Sequence, residues 1–291
     1  MNIWILARRN LRIYFRDRAG VFFSFLSPLI LIALYALFLG NQQVQSLQAS
    51  FPSATTSAVE AYINGWVFAG ITMITTLTTG LAALSVFVED SASGRFKDFL
   101  VSPIRRSSLI VGYMVSSFIV AFFMTLLVVA ISQGYTAVRG GTLLSPAELL
   151  LTIGYVALSA AAFSAISGFV VTFLTSNGAF AAFSTIVGTM IGFLAGAYIP
   201  AGVLPSGVVN VMNTLPFAQS AMLLRQPFTA QSLDALTQGQ PEAKTMLSDF
   251  YGITISIGDF SVTNWMAVGA LALFFLVFTL LASLRLARRI R

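Results

Sequence analysis

One short stretch of the sequence, Glu89–Arg106, combines the residue types best suited to binding a specific partner. It holds two adjacent acids, a glycine at Gly94, a Ser-Pro break and a basic turn. Phe96, Phe99 and Leu100 would share one side of a short helix, and a helix with an apolar side can plug a groove in a partner. The same composition also fits a solvated connector between two longer helices. From the residues alone, both interpretations stay open.

Residues with catalytic or energy-coupling chemistry are missing elsewhere. The sequence has no cysteine and no histidine, which excludes disulfides, Cys/His zinc sites and Ser-His or Cys-His nucleophilic catalysis. No G-x-x-x-x-G-K-S/T phosphate loop occurs, so ATP hydrolysis by that route is excluded. We interpret Glu89, Asp90 and Glu148 as solvated helix ends and caps rather than proton-coupling groups. We therefore predict that the chain is not an enzyme and that another subunit supplies its energy.

Two sets of small or hydroxyl-bearing residues recur at helical spacing. One lies in the second apolar segment and comprises Thr72, Thr75, Thr76 and Thr79. The other lies in the fifth segment and comprises Gly188, Gly192 and Gly196. A hydroxyl face suits an amphiphilic substrate, yet threonines also bond membrane helices together, and small-xxx-small runs favour close helix packing. Both sets are candidates for a pathway or a dimer seam, with packing within the chain as the alternative.

The composition places these residues in a membrane bundle. Hydrophobic residues make up 57% of the chain and charged residues 9%, against about 25% charged in a soluble domain. A spanning helix needs about 20 predominantly apolar residues. The segments that meet this criterion are Val21–Gly40, Ala61–Val88, Ser107–Gln133, Ala147–Thr175, Gly178–Ile199 and Asn264–Leu284. The predicted fold is an all-α membrane protein with six transmembrane helices, forming one domain over residues 1–291.

Basic residues determine the expected orientation. They cluster before the first segment, after the second and at the C-terminal end, whereas the other connecting segments hold few. By the positive-inside rule, both termini and the 89–106 stretch face the cytoplasm. The net charge of +6 is thus spread over helix ends rather than gathered in a patch, so no nucleic-acid partner is expected.

Residues 1–19 are expected to form an interfacial amphipathic helix. Apolar residues alternate there at roughly helical spacing with the basic residues Arg8, Arg9, Arg12 and Arg16. Such a helix lies in the headgroup plane with its arginines toward anionic lipid. A merely solvated N-terminal segment is the alternative.

Residues 200–263 separate the first five spans, within 21–199, from the sixth helix and basic tail at 264–291. From Pro200 to Pro227 this segment is apolar but interrupted by four prolines, which favours re-entrant helices over a span. From Thr229 to Phe260 it turns polar and is expected to be a small, water-exposed extracytoplasmic insertion.

The pattern from Glu89 to Gly112 resembles the cytoplasmic signature of type-2 ABC exporter permeases. The matching features are an acid, a glycine, paired apolar residues, a Ser-Pro break and a glycine that opens the third helix, found here as Glu89, Gly94, Phe99-Leu100, Ser102-Pro103-Ile104 and Gly112. That family also has an interfacial N-terminal helix, six spans and re-entrant helices before the sixth, so the resemblance covers essentially the whole chain. Arg95-Phe96 and the long polar insertion depart from the family pattern.

The resemblance implies roles for these residues. The 89–106 stretch would be the coupling helix, seated on a separate ATPase subunit that binds ATP and magnesium. The residues implied in this contact are Glu89, Gly94, Phe96, Phe99, Leu100, Ser102 and Pro103. The N-terminal helix would touch the same subunit, and two permeases, identical or not, would form a dimer with the route between them.

We therefore expect a multi-pass permease that exports an amphiphilic cargo, such as a drug, lipid or peptide, across a bacterial or archaeal cell membrane. A multidrug-efflux role fits, because the candidate route carries hydroxyl and apolar groups without fixed charge. A polysaccharide exporter is the alternative within this class. A channel or sensor subunit is an alternative from another class, and a membrane-embedded enzyme is disfavoured by the missing acid, base and metal groups.

Overall fold

The computed structural model describes residues 3–52, 54–96 and 106–289 of the 291-residue chain. Its α-helices are, in chain order, α1 Ile3–Arg16, α2 Arg18–Leu34, α3 Gly40–Ser50, α4 Thr56–Ala83, α5 Ser85–Ala92, α6 Arg106–Val138, α7 Pro146–Val171, α8 Asn177–Leu194, α9 Ser206–Thr214, α10 Pro216–Thr237, α11 Pro241–Phe250 and α12 Asn264–Arg289. A π-helix, Tyr35–Leu39, joins α2 to α3, and a 3-10 turn, Ala201–Val203, precedes α9. The strands β1, Ile255–Ile257, and β2, Phe260–Val262, form one antiparallel hairpin in which Ser256 pairs with Ser261.

Among the described residues, five helical stretches are long and apolar enough to cross a membrane: α4 with α5, α6, α7, α8 and α12. The pair α1 and α2, bent by 80°, raises the number to six if it is one broken span. The predicted all-α membrane fold is thereby confirmed. Because the helices alternate in direction, α1, α5 and the last turns of α12 lie at one end of the bundle, the terminal end. The opposite end, which carries α9 to α11, is the distal end.

The bend between α1 and α2 is located at Asp17. Its backbone leaves the helical region, at φ −79° and ψ 81°, and its carboxylate accepts a hydrogen bond from the Gly20 amide at 3.0 Å. Asp17 thus acts as the N-cap of α2, so α1 is a separate helix. α1 packs against α6, where a Cβ on Gly112 would lie 2.6 Å from the Leu6 side chain. A glycine at this position is what permits the close approach.

The first predicted span is longer in the structure than in the sequence pattern. The helix does not end at Gly40 but continues through the π-helix and α3 to Ser50. The added turns are rich in glutamine, and only Leu47 is buried there. The difference arises because an apolar run reports the membrane-compatible part of a helix, whereas the helix itself continues wherever its backbone bonds are made.

α4 forms the centre of the core. It is buried along most of its length and packs against α2, α6, α7 and α10. The two helices α4 and α10 come close together at Gly65, where an added Cβ would lie 2.3 Å from the Phe228 carbonyl oxygen. Fully buried aromatic side chains, including Trp66 and Tyr62, fill the same helix face. These contacts hold the distal segment onto the central helix.

α8 and α12 lie at the edge of the bundle. Within α8 only Ile191 and Gly192 are buried, and α12 packs on α7 while leaving a leucine-rich face exposed. Large apolar surface of this kind in a membrane fold faces lipid or another subunit. These two helices therefore supply the outer surface of the chain.

The structure corrects the predicted division of residues 200–263 at Pro227. α10 runs without a break from Pro216 to Thr237 and includes Pro227 in its interior. Beyond that proline, Leu233 and Leu236 are 3% and 2% exposed, so this part is not the water-exposed insertion that was predicted. Packing against α4 and α7 compensates for the helix-breaking proline. Beyond Pro227, exposed residues predominate only from Gln238 to Phe260.

Candidate coupling junction

A buried carboxylate, Asp90, is the centre of the charged contacts at the terminal end. Arg9 donates two hydrogen bonds to it, Nη1 to Oδ2 at 2.6 Å and Nη2 to Oδ1 at 2.9 Å. The Tyr113 hydroxyl donates to Oδ2 at 2.5 Å, and Arg95 Nη1 donates to Oδ1 at 3.1 Å. The Asp90 side chain is 0% exposed. We call Arg9, Asp90, Arg95 and Tyr113 the Asp90 junction.

The Asp90 junction joins three helices. Arg9 comes from α1, Asp90 from the last turn of α5 and Tyr113 from the second turn of α6, and Arg95 follows α5. A carboxylate with four donors and two cations is fully satisfied, whereas removing one partner of a buried ion pair leaves a buried charge uncompensated. The hydrogen bond to Asp90 also raises the pKa of Arg95 above its usual value, which reflects the favourable pairing of the two charges. The arrangement therefore binds α1 and α6 to the end of α5.

This finding corrects the interpretation of Asp90 as a solvated helix end. The two neighbouring acids differ sharply, because the Glu89 side chain is 52% exposed and meets Arg95 only at 3.4 Å. For Glu148, the interpretation as a helix cap was right. Glu148 accepts a hydrogen bond from the Ser145 amide at 2.7 Å and forms a capping box at the start of α7.

The predicted coupling residues lie beside the Asp90 junction as far as the structure describes them. Gly94 has φ +77° with open space where a Cβ would stand, so it turns the chain after α5. Phe96 packs against Phe87, with ring centroids 5.1 Å apart, and is half-buried within its own chain. The other predicted coupling residues, Phe99, Leu100, Ser102 and Pro103, lie outside the described residues.

The arginines predicted on α1 do not share one environment. Arg8, Arg12 and Arg16 are exposed, as the interfacial-helix prediction requires. Arg9 instead points into the bundle, bonds Asp90 and donates to the Asn10 side chain at 3.1 Å. The lipid-facing role stays a prediction for the first three, and Arg9 has a different function within the fold.

The predicted threonine face lies inside the chain. Thr72, Thr75, Thr76 and Thr79 are all 0% exposed, and each hydroxyl donates to the carbonyl four residues earlier at 2.7–2.8 Å. The Thr125 hydroxyl of α6 also donates to Thr76 at 3.2 Å. This geometry favours the packing alternative, and a role in the pathway stays a prediction.

The predicted glycine run is interrupted in the structure. α8 ends at Leu194, so Gly196 is not part of the helix, and it closes the helix with φ +60°. An added Cβ on Gly192 would lie 2.1 Å from the Tyr198 ring of the same chain. Gly188 alone has open space beside it. The three residues therefore do not form one helix face.

A second arginine site, at the distal end, was not predicted. Arg225 of α10 is 2% exposed and donates to the carbonyls of Ala195, Gly196 and Gly252 at 2.8, 2.7 and 3.1 Å. Its guanidinium also lies over the Trp66 ring, 5.6 Å from the centroid. No acidic side chain among the described residues forms an ion pair with it.

Tyr35 completes this distal contact. Its hydroxyl lies 3.0 Å from the Ala197 carbonyl oxygen and 3.2 Å from that of Tyr198, and it donates to them from the π-helix. The carbonyls at the C-terminal end of α8 are thus bonded by two side chains from other elements. We call Arg225, Tyr35 and the segment 195–198 the α8 latch.

Comparison of the sequence with known protein families identifies the family of this chain. The sequence profile of the ABC-2 type transporter family matches residues 1–228, well over half of the chain. This chain belongs to the ABC-2 type transporter family. No individually curated protein matches it. The profile covers the Asp90 junction and the α8 latch up to Arg225, and it ends inside α10.

Family membership confirms the resemblance at the level of an ABC-2 permease. The chain is a membrane-embedded permease subunit of an ABC transporter, a non-catalytic component whose family implies association with an ABC ATPase subunit. Within the described part of this ABC-2 permease, no group of three or more acidic residues could hold a metal ion.

The sequence analysis predicted the role of neither of two residues that organise this ABC-2 permease, since it interpreted Asp90 as solvated and did not single out Arg225. For Asp90, helical periodicity was an available signal. It lies three residues after Phe87 and four after Val86, and residues at this spacing share one face of a helix. For Arg225, the signal was a lone arginine in an otherwise apolar run between prolines. A membrane arginine is expensive unless its donors are bonded, which marks it for attention.

Proposed function

We propose that this ABC-2 permease is an exporter subunit whose terminal end faces the cytoplasm and docks on a separate ATPase, which binds ATP and magnesium. The observation that carries the proposal is the Asp90 junction, which binds α1, α5 and α6 into one unit directly before the 97–105 segment. A docked segment needs such a rigid support if a push on it is to reach the spanning helices.

In this mechanism, closure of the ATPase pushes the stretch that begins with Glu89, Gly94 and Phe96 and includes Phe99, Leu100, Ser102 and Pro103. α5 follows α4 after a single break at Leu84, so a displacement of α5 acts on the central helix. The bond from Arg9 to Asp90 makes α1 move with α5. The interfacial helix and the coupling segment then act as one lever.

A second permease, identical or not, completes the pathway in this proposal. The support is the exposed apolar surface of α8, on which Ile186, Met190 and Phe193 are each more than half exposed. Two copies joined along such a face would enclose a route between them, in the membrane of a bacterial or archaeal cell.

The proposed cargo is an amphiphile such as a drug, lipid or peptide, moved from the cytoplasm or the inner leaflet. A mostly apolar bundle without fixed charge at mid-depth suits such a molecule. A polysaccharide, or a channel or sensor role, is the alternative. A channel conducts without an ATPase, so association with an ATPase subunit distinguishes an exporter from a channel.

The test is co-purification of the tagged permease with candidate ATPase subunits, beginning with one encoded next to it. The Phe96→Ala/Phe99→Ala/Leu100→Ala variant is expected to lose the ATPase that the wild type retains. A matched control, Val203→Ala/Val208→Ala/Val211→Ala, changes exposed apolar residues at the distal end and is expected to retain it. Monodisperse elution of each variant establishes that it is folded. Failure of any ATPase to associate with the wild type would contradict the proposal.

A further inference from the structure

A cleft of about 440 Å³ opens near the terminal end, where α1, α2, α4, α5 and α8 meet. Its volume falls within the range of about 300–1,000 Å³ that is usual for small-molecule sites. Its interior is mainly apolar and aromatic, with lining residues that include Ile13, Phe23, Leu81, Val86 and Phe180. The coupling mechanism uses none of these side chains.

Two features indicate that the cleft is built to be filled. The Ser184 hydroxyl lines it and is buried without a hydrogen-bond partner among the described residues. Buried hydroxyls normally have a partner, so this one points to a polar atom that a ligand brings. Gly188 lines the same wall, and nothing lies within 4 Å of the position its Cβ would take. The absence of a side chain keeps the cleft open.

The mouth of the cleft is charged. A neighbouring cleft of about 480 Å³ shares Ile13, Asp17 and Glu89 with the first and is otherwise lined by Arg9, Arg16 and Arg95. Arg16 forms no ion pair among the described residues. Asp17 uses Oδ1 to cap α2, which leaves Oδ2 as an acceptor. Basic and acidic side chains thus lie side by side where the apolar interior of the cleft opens.

We propose that this composite cleft binds one membrane phospholipid with an amine-bearing headgroup, of the phosphatidylethanolamine type. The Arg16 guanidinium bonds the phosphate, and the Asp17 and Glu89 carboxylates accept from the ammonium group. An acyl chain lies in the apolar interior, with its ester carbonyl accepting from the Ser184 hydroxyl. A soluble phosphate compound would leave the apolar interior unfilled. A purely cationic amphiphile would leave Arg16 without a partner.

This site goes beyond the exporter function and does not depend on it. The lipid is a resident ligand that fills the space between α1, α2 and α8, and its binding needs neither the ATPase nor transport. A failure of the lipid proposal therefore leaves the co-purification test unaffected, and the reverse also holds.

The experiment is native mass spectrometry of the full-length permease, released from nanodiscs that hold equal amounts of dioleoyl phosphatidylethanolamine, phosphatidylglycerol and phosphatidylcholine. The wild type is expected to retain one phosphatidylethanolamine, with about tenfold higher occupancy than either other lipid. This is the change in affinity that hydrogen bonds from the ammonium group to the carboxylates would give. Asp17→Asn keeps the cap of α2 but is expected to abolish the preference for the amine. Arg16→Gln is expected to reduce retention of all three lipids.

Matched controls separate the site from the lipid that surrounds every membrane protein. Gly188→Leu fills the cleft and is expected to lose the bound lipid, whereas Gly154→Leu, at an exposed open position on α7, is expected to retain it. Arg288→Gln removes the same charge as Arg16→Gln from an exposed position on α12 and is expected to behave as wild type. Equal retention of the three lipids by wild type, or an unchanged preference in Asp17→Asn and Gly188→Leu, overturns the proposal and leaves annular lipid only.

Discussion

The two ends of this permease are each organised by a buried arginine contact, and the contacts differ in kind. At the terminal end, Arg9 and Arg95 share the carboxylate of Asp90 and leave part of their own surface exposed. At the distal end, Arg225 is buried, and within the described part of the chain its hydrogen bonds go only to backbone carbonyls. The first contact is an ion pair between elements, and the second caps the C-terminal end of a helix.

The two contacts should respond differently to force. At the terminal end, an arginine that leaves Asp90 can be solvated, because Arg9 and Arg95 are partly exposed, although the buried carboxylate is then left uncompensated. At the α8 latch, a displaced Arg225 would not be solvated, because it is buried. The dipole of α8 and several buried carbonyls depend on its guanidinium. We therefore expect the distal contact to be the stiffer one.

Arg225→Met is expected to have the largest effect on stability. Methionine fills much of the space but leaves the carbonyls of Ala195, Gly196 and Gly252 without donors, at a cost of about 3–5 kcal/mol in unfolding free energy. Denaturant unfolding in micelles measures it. Arg139→Met, at an exposed distal arginine, is the control and is expected to leave stability unchanged. An Arg225→Met protein as stable as wild type would mean that the latch does not hold α8.

Asp90→Asn is expected to destabilise the permease by about 3 kcal/mol, because it leaves Arg9 and Arg95 without the buried charge they share. Glu89→Gln changes the neighbouring acid, which is exposed, and serves as the matched control. The same unfolding assay applies. A double-mutant cycle with Arg9→Gln should show a coupling energy, and additive effects would contradict the ion pair.

Removal of one tyrosine hydroxyl at each end compares the strengths of the two contacts directly. Tyr113→Phe deletes a hydrogen bond to a carboxylate and is expected to cost about 2 kcal/mol, whereas Tyr35→Phe deletes one to neutral carbonyls and is expected to cost about 1 kcal/mol. Thermal unfolding of both variants in one detergent measures the difference. The reverse order would show that the Tyr35 hydroxyl contributes more to stability than the Tyr113 hydroxyl does, against the stronger bond expected at a carboxylate.

Thr76→Val is expected to have the smallest effect, a loss of about 0.6 kcal/mol, the typical value for a hydrogen bond between membrane helices. The change keeps the side-chain volume and removes the bond from Thr125. If the threonine face packs helices, substrate transport by this variant stays at the wild-type level. A transport defect with unchanged stability would instead place this face in the pathway.

The fold was largely predictable because its main determinant is local. An apolar run of sufficient length has to become a helix in a membrane, where each backbone group needs an internal partner. The helix ends were less predictable. Gly40 ends an apolar run but not a helix, and Pro227 interrupts an apolar run but not α10, since packing on α4 holds that helix together.

The sites were predictable only in part, for a related reason. Glu148 was interpreted correctly, because a capping box depends on residues three positions apart. Asp90 was misinterpreted, because its burial depends on Arg9 and Tyr113, which lie 81 and 23 residues away. The threonine spacing was correctly identified as one helix face, but spacing does not reveal what that face meets.

Composition and apolar length were enough to predict the membrane class, the helical segments, the missing catalytic groups and the family of this permease, because they act within each segment. Helix packing, in contrast, sets which charges are buried, which face of α4 is internal and where a lipid-sized cleft lies between α1, α2 and α8. Those properties depend on contacts between distant segments, and the same arginine or threonine is exposed or enclosed according to the helix that packs against it.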